Sequence, residues 1–186
     1  MDIPTALLKN YEVNSLKISI VEHDSNWAKM FETEKELLTN VFSDNLIRVE
    51  HFGSTSILNL SAKPIIDIFV FVHDTSNMNK YAIFMESHGY AFKGVQDLTK
   101  CTVFDKYRNE SNTRTHKVNI CEESNAFSVN ALLFRDYLRI NKVICSKYEN
   151  LKKELAKKHY DDSTAYASGK LNFILEIIEE AKRHFA

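Results

Sequence analysis

The chain is short of turn formers and of charge imbalance, and each shortage removes a class of protein. Two prolines and four glycines in 186 residues leave no Pro- or Gly-rich linker on which two domains could hinge. Lys and Arg total 24 against 25 Asp and Glu, a net charge of −1, which argues against a general nucleic-acid coat while leaving room for a local basic groove. The three cysteines, Cys101, Cys121 and Cys145, are widely spaced, with no CxxC and no histidine pair beside them. That spacing indicates neither a disulfide framework nor a zinc site, and reduced thiols in the cytoplasm are the expectation. No apolar run reaches the ~18 residues that span a bilayer, and no basic segment followed by an apolar one opens the chain, so neither a membrane partner nor a secretory signal is expected.

What is present is ordinary globular composition, 44% hydrophobic and 26% charged. The periodicities predict an α+β domain over residues 16–186 behind an N-terminal extension of residues 1–15, within which Ile3–Tyr11 reads as a short helix. Leu16–Val21 alternates and predicts an edge strand. Asp24-Ser25-Asn26 supplies cap residues to a helix running from Trp27 to Phe42. Further on, the pattern predicts a helix over Met78–Glu86, a strand over Tyr90–Lys93, a strand through Thr102–Phe104 and Tyr107, a hairpin turn at Arg108–Thr113, and a strand over His116–Cys121 lying beside the strand of Asp67. From Asn125 onward the spacing turns helical, with one helix through Phe127–Ile140, a second over Lys142–Lys158 and a last over Ser163–Arg183. The fold class is therefore helices flanking a mixed β-sheet, with a helical C-terminal part.

The organising stretch is Ile47–Val72. Ile47–Glu50 predicts the end of a strand, His51–Ser56 a tight polar loop, and Ile65–Val72 a buried strand with one carboxylate in it. Alternation puts Ile65, Asp67, Phe69 and Phe71 on one face and Ile66, Ile68, Val70 and Val72 on the other. A carboxylate among such neighbours is costly unless a cation, a metal or hydrogen-bond donors meet it, so Asp67 is a candidate site residue. Gly53-Ser54 ahead of it suits a phosphate loop: glycine lets main chain approach a phosphate, amides and a hydroxyl donate to it, and hard oxygen ligands suit magnesium.

His51-Phe52-Gly53-Ser54-Thr55-Ser56, then Leu60 and Ala62-Lys63-Pro64-Ile65-Ile66-Asp67-Ile68, resembles the hallmark segment of the GrpB-like family, H-I-G-S-T-S-V-P-G-L-x-A-K-P-I-I-D-I. Ile20–Asp24 with Trp27, Arg114-Thr115-His116, Leu132–Arg139 and Tyr148–Lys152 resemble the family too, so that the likeness covers residues 18 to 182. The resemblance implies a nucleotidyltransferase-like fold. It implies that Gly53, Ser54, Thr55 and Ser56 hold a nucleotide or another phosphorylated small molecule, with Lys63, Arg114 and Arg135 on its phosphate oxygens. It implies Asp67 as ligand of Mg2+ or Mn2+, and His51 and His116 as acid/base or metal-binding groups. Two departures stand out. Phe69 occupies the place of a second carboxylate, for which Glu50, Asp105 or Glu122 could substitute in space. Lys117 and Asn119 replace two histidines of the family's R-T-H-H-L-H-V segment.

Three functions follow as expectations: metal-assisted nucleotidyl transfer; a non-catalytic nucleotide-binding or protein-interaction module with a degenerate site, which Phe69 and Asn119 favour; and a hydrolase using His51, Asp67 and His116 around zinc or manganese. The oligomeric state is left open by these residues.

Overall fold

The structure, a computed structural model, describes residues 17–108 and 113–186. Helix α1, Asn26–Phe42, buries Trp27, Phe31, Glu34, Leu38 and Phe42 at helical spacing, with the Asp24 carboxylate capping the Asn26 amide at 2.8 Å. Strand β1 is Leu46–Phe52, two residues longer at its end than the alternation predicted. A 3-10 turn at Ser54–Ser56 and an irregular segment lead to β2, Ile66–Val72. Then come α2 (Asn79–Ser87), β3 (Tyr90–Val95), β4 (Thr102–Arg108) and β5 (Thr113–Cys121). Four helices close the chain: α3 (Ala126–Ile140), α4 (Lys142–Lys158), α5 (Ser163–Gly169) and α6 (Leu171–Phe185).

The five strands form one mixed sheet in the order β1-β2-β5-β4-β3, with only the central β2–β5 pair parallel. As the residue alternation required, the two faces of β2 build two cores. Ile66, Ile68, Val70 and Val72 pack with Val118 and Ile120 of β5 against Trp27, Phe31, Leu38 and Phe42 of α1 and Tyr81 and Met85 of α2. Phe69 and Phe71 pack with Cys101, Val103 and Cys121 beneath Phe127, Ala131 and Leu132 of α3. The segment between loop and β2 belongs to the helical half, since Ile57 and Leu60 are buried with Leu138, Tyr148 and Phe173.

Two sequence expectations are corrected. Leu16–Val21 is not an edge strand: Leu16 lies outside the described residues, and the rest meets the fold through one bridge, Val21 to Ala62, and an Ile18 amide that donates to the Tyr160 carbonyl. The last helix is two helices, broken at Gly169-Lys170, where a side chain on Gly169 would run into Leu155 of α4. The expected helix at Ile3–Tyr11 lies outside the described residues, as do residues 109–112 of the expected Arg108–Thr113 turn.

Candidate functional site

Strand register decides which predicted residues meet. Partners across the sheet run Phe52, Asp67, Lys117, Asp105, Ala91, and one step deeper Glu50, Phe69, Asn119, Val103, Gly94. Cross-strand partners project to one face. Asp67, Lys117 and Asp105 therefore form a row on the α3 side, where carboxylate, ammonium and carboxylate sit on three consecutive strands.

Gly53 closes one end of this row. Its φ of +72° with ψ of −176° is a backbone region essentially reserved for glycine, and a Cβ on it would lie 2.6 Å from Asp67 Oδ2. The loop main chain thus rests directly against the carboxylate. Of the loop hydroxyls, Ser56 donates to the Gly53 carbonyl at 2.7 Å and Thr55 to the Ile65 carbonyl at 3.1 Å, so both are committed within the loop. Among the described residues the Ser54 hydroxyl has no partner.

Cations surround the row. Arg114 Nη1 donates to Asp105 Oδ2 at 3.0 Å, and the Tyr107 hydroxyl donates to the same oxygen at 3.2 Å. Lys63 and Lys170 both place their ammonium groups over the ring of buried Tyr166, at 4.6 and 4.4 Å. Burial pushes the Asp67 carboxyl above its usual range, against the pull of Lys117, Arg114 and Lys170, with Asp105 adding to the rise. Burial also lowers Lys63 and Lys170, each to about 8; Arg114 lowers Lys63 further, Lys63 lowers Lys170 further, and Asp67 opposes both shifts. The segment carrying Lys63 is tied to α4, where the Lys152 ammonium donates to the Ser61 carbonyl and the Ser61 hydroxyl to Glu149.

Lys170 was invisible to sequence reading because the last helix read as unbroken; the kink at Gly169 delivers it. Lys117 entered only as a missing histidine. The signal for its role is parity with Asp67, which needs the parallel register.

The histidines lie on the other face. The His51 ring stacks on Phe31 of α1, with centroids 4.7 Å apart, and its Nε2 meets Thr55 Oγ1 at 3.0 Å. Since the Thr55 proton goes to the Ile65 carbonyl, His51 donates from Nε2 and is the neutral Nε2–H tautomer. His116, also buried on the α1 side, bonds Thr115 through Nδ1, and its Nε2 is 4.0 Å from Glu34 Oε1. A hydrolase site of His51, Asp67 and His116 is therefore not assembled, because the sheet separates the imidazoles from the carboxylate. Burial, then Arg139, Arg135 and His116, lower His51 from 6.5 to about 3, and burial lowers His116 as well. The unfolded chain takes up these protons first, so stability is full above pH 6.5 and falls as the solution is acidified. We expect a loss of about 1–2 kcal/mol between pH 6.5 and about 5. Urea unfolding at the two pH values measures it, and His51→Gln should flatten the slope; an unchanged slope would show that His51 does not carry it.

Arg135 lies on the row's side of the sheet but is committed elsewhere. Its guanidinium holds Glu50 at 2.8 Å and the His51 carbonyl at 2.9 Å from Nη1, and Asp136 at 2.7 Å from Nε, while Arg139 donates to the Ser56 carbonyl at 3.0 Å. Helix α3 thereby clamps the end of β1 and the loop that follows it. Of the substitute carboxylates, Glu50 is taken by this clamp, Glu122 accepts from Thr75 at 3.2 Å at the far end of the sheet, and Asp105 alone joins Asp67.

Among the described residues no three His, Cys, Asp or Glu side chains converge to hold a metal. Asp67 has an ammonium as its β5 neighbour and a phenyl two residues on, and Asp105 is already paired with Arg114. These residues by themselves do not make a protein cage for Mg2+ or Mn2+: of the hard oxygens such an ion needs they offer one carboxylate with an ammonium as its strand neighbour and a second already paired. A cleft of about 350 Å3 at the other end of β2, lined by Phe42, Asp44, Asn45, Asp74 and Tyr81 among others, includes none of the sequence-predicted residues. No helix of the described residues is long and apolar enough to cross a membrane.

A family model described as GrpB protein matches residues 17–180. UPF0157 protein YqkA of Bacillus subtilis is 39% identical over 167 residues, 90% of this chain; the chain spans 48% of that relative's length. The crystal structure of conserved protein GrpB from Enterococcus faecalis superposes with a TM-score of 0.82 at 35% identity, over 90% of this chain and all of that one. Terminal uridylyl transferase 4 from Trypanosoma brucei, solved with bound dUTP, superposes with a TM-score of 0.56 at 14% identity, over 98% of this chain and 58% of that one.

Proposed function

The chain belongs to the GrpB family and has the nucleotidyltransferase fold, and from that premise we propose that it binds a nucleotide or another phosphorylated small molecule on the face formed by Gly53, Ser54, Asp67 and their surrounding cations. One observation carries the reading: Lys63, Arg114, Lys117 and Lys170, four cations against two carboxylates, gather where the Gly53 main chain touches Asp67. Such a surplus in a half-buried setting calls for an anion with several charged oxygens. Loop amides and the Ser54 hydroxyl add neutral donors.

The geometry favours binding over transfer. In-line attack on a phosphate needs its developing charge neutralised and the attacking oxygen activated. Here the carboxylate that would help hold an ion is replaced by Phe69, which is fully buried. Transfer is the second reading, supported by the fold and by Asp67 and Asp105 sharing a row. Release of pyrophosphate from a nucleoside triphosphate, lost in Asp67→Asn, would establish it over binding alone.

Thermal unfolding with ATP, UTP and inorganic tripolyphosphate tests the reading. A ligand that binds only the folded state raises the melting temperature according to its concentration over Kd. We expect a rise with the parent, and weaker binding by about tenfold for each of Ser54→Ala, Lys63→Met and Lys170→Met, as befits a lost charge-assisted hydrogen bond worth about 1.5 kcal/mol. A parent that does not respond to any phosphate compound would sink the proposal. Affinity should also fall as pH rises through about 8, because bound phosphate favours the charged forms of Lys63 and Lys170. Calorimetry near that pH would then register proton uptake on binding.

A further inference from the structure

We propose that Lys117 is the resident counter-cation of this site, so that a polyphosphate binds here without a divalent metal. This deepens the phosphate-binding reading and rests on it.

The register is the first observation. Lys117 pairs with Asp67 across the parallel β2–β5 ladder and with Asp105 across the antiparallel β4–β5 ladder, which sets its stem between the two carboxylates on the face they share. An ion bridging Asp67 and Asp105 would have to occupy the space that this side chain crosses. Lys117 is also the leading cationic influence on Asp67.

The second observation concerns the floor of the site. Asn119 is 2% exposed, yet its Nδ2 donor has no hydrogen-bond partner among the described residues. Buried polar atoms left unmatched are uncommon and signal a missing water or ligand group. Asn119 lies two residues from Lys117 on the same face of β5, flanked by Phe69 and Val103. The Lys117 ammonium can only donate, and the Asn119 amide offers a second donor beside it, whereas a hard divalent ion calls for a set of several oxygen ligands.

The third is the charge that remains. With Arg114 paired to Asp105 and Lys117 set beside Asp67, Lys63 and Lys170 still face the row over Tyr166. Phosphate oxygens reaching between Gly53 and Lys117 would meet ammonium groups from three separate segments: the strand β5, the segment before β2, and the α5–α6 junction. A divalent ion carried in with the phosphate would be repelled by the same groups.

The test is titration calorimetry of the purified chain with inorganic tripolyphosphate and with ATP, first in EDTA and then with excess Mg2+ or Mn2+. We expect binding in EDTA, and weaker binding once metal is added, because metal-complexed phosphate presents less charge to the lysines. Lys117→Met should weaken binding in EDTA by at least about tenfold, whereas Lys117→Arg should retain most of it; circular dichroism and melting temperature confirm that each variant is folded. Binding by the parent only when metal is present would overturn the role of Lys117 and leave the phosphate site standing. Unchanged affinity in folded Lys117→Met would do the same. If neither probe binds under either condition, both the inference and the reading beneath it fail.

Discussion

Gly53→Ala is expected to lower stability by roughly 3 kcal/mol and to abolish phosphate binding. Two costs combine. A side chain at φ +72° and ψ −176° is strained by about 1–3 kcal/mol. The new Cβ would also stand 2.6 Å from Asp67 Oδ2, and overpacking of this kind costs about 1–3 kcal/mol. Relief can come only by moving the loop off the carboxylate or turning Asp67 away, and either movement breaks the site. Urea unfolding gives the first quantity and calorimetry with tripolyphosphate the second. Ser54→Ala, which leaves the backbone alone, should keep full stability while weakening binding. Parent-like affinity in Gly53→Ala would show that the contact between loop and carboxylate is incidental.

Arg135→Met is expected to cost about 2 kcal/mol of stability, as befits removal of a buried guanidinium from charge-assisted hydrogen bonds to partners that are themselves partly solvated. The Arg135 side chain is 9% exposed and satisfies Glu50, Asp136 and the His51 carbonyl together, so its loss leaves the carbonyl without this donor and Glu50 with only the longer pairing to Arg48 at 3.6 Å. Removing the charge from both partners should cost less than the sum. In a cycle of Arg135→Met, Glu50→Gln and the double variant, we expect the double to be at least about 1 kcal/mol more stable than additivity predicts. Strict additivity would mean that Glu50 does not need Arg135. Because the clamp acts on the loop through the His51 carbonyl and not on Asp67, Arg135→Met should reduce the proposed phosphate affinity less than Gly53→Ala does relative to its effect on stability.

Much of this architecture was legible in residue order because it depends on local rules. Helical spacing from Trp27 to Phe42 located α1 to within a residue. Period-two alternation in Ile65–Val72 assigned Asp67 to the face of Phe69 and Phe71, and the two cores divide along that line. Placing the His116–Cys121 strand beside the Asp67 strand also agrees with the sheet. Leu16–Val21 misled because alternation reports a half-buried segment, and packing of Ile18 with Ala156 and Tyr166 satisfies that pattern without a ladder.

The site was legible in part. Gly53, Lys63, Asp67 and Arg114 do gather, with Ser54 beside Gly53 in the chain, and Asp105 is the substitute carboxylate that joins them. His51 and His116 do not, and their own strands could not have said so. A residue's side within a strand is relative, and only pairing Phe52 with Asp67 and Lys117 with Asp67 reveals that the neighbours His51 and His116 point the other way.

The sequence by itself thus determined the elements, the buried faces, the tight Gly53-Ser54 loop and the presence of a carboxylate needing company, since each follows from side-chain size, polarity and spacing along one segment. The tertiary structure alone decided what that company is. Strand register set Lys117 between two carboxylates, and a break at Gly169, where Leu155 leaves no room for a side chain, carried Lys170 to Asp67 from more than a hundred residues away.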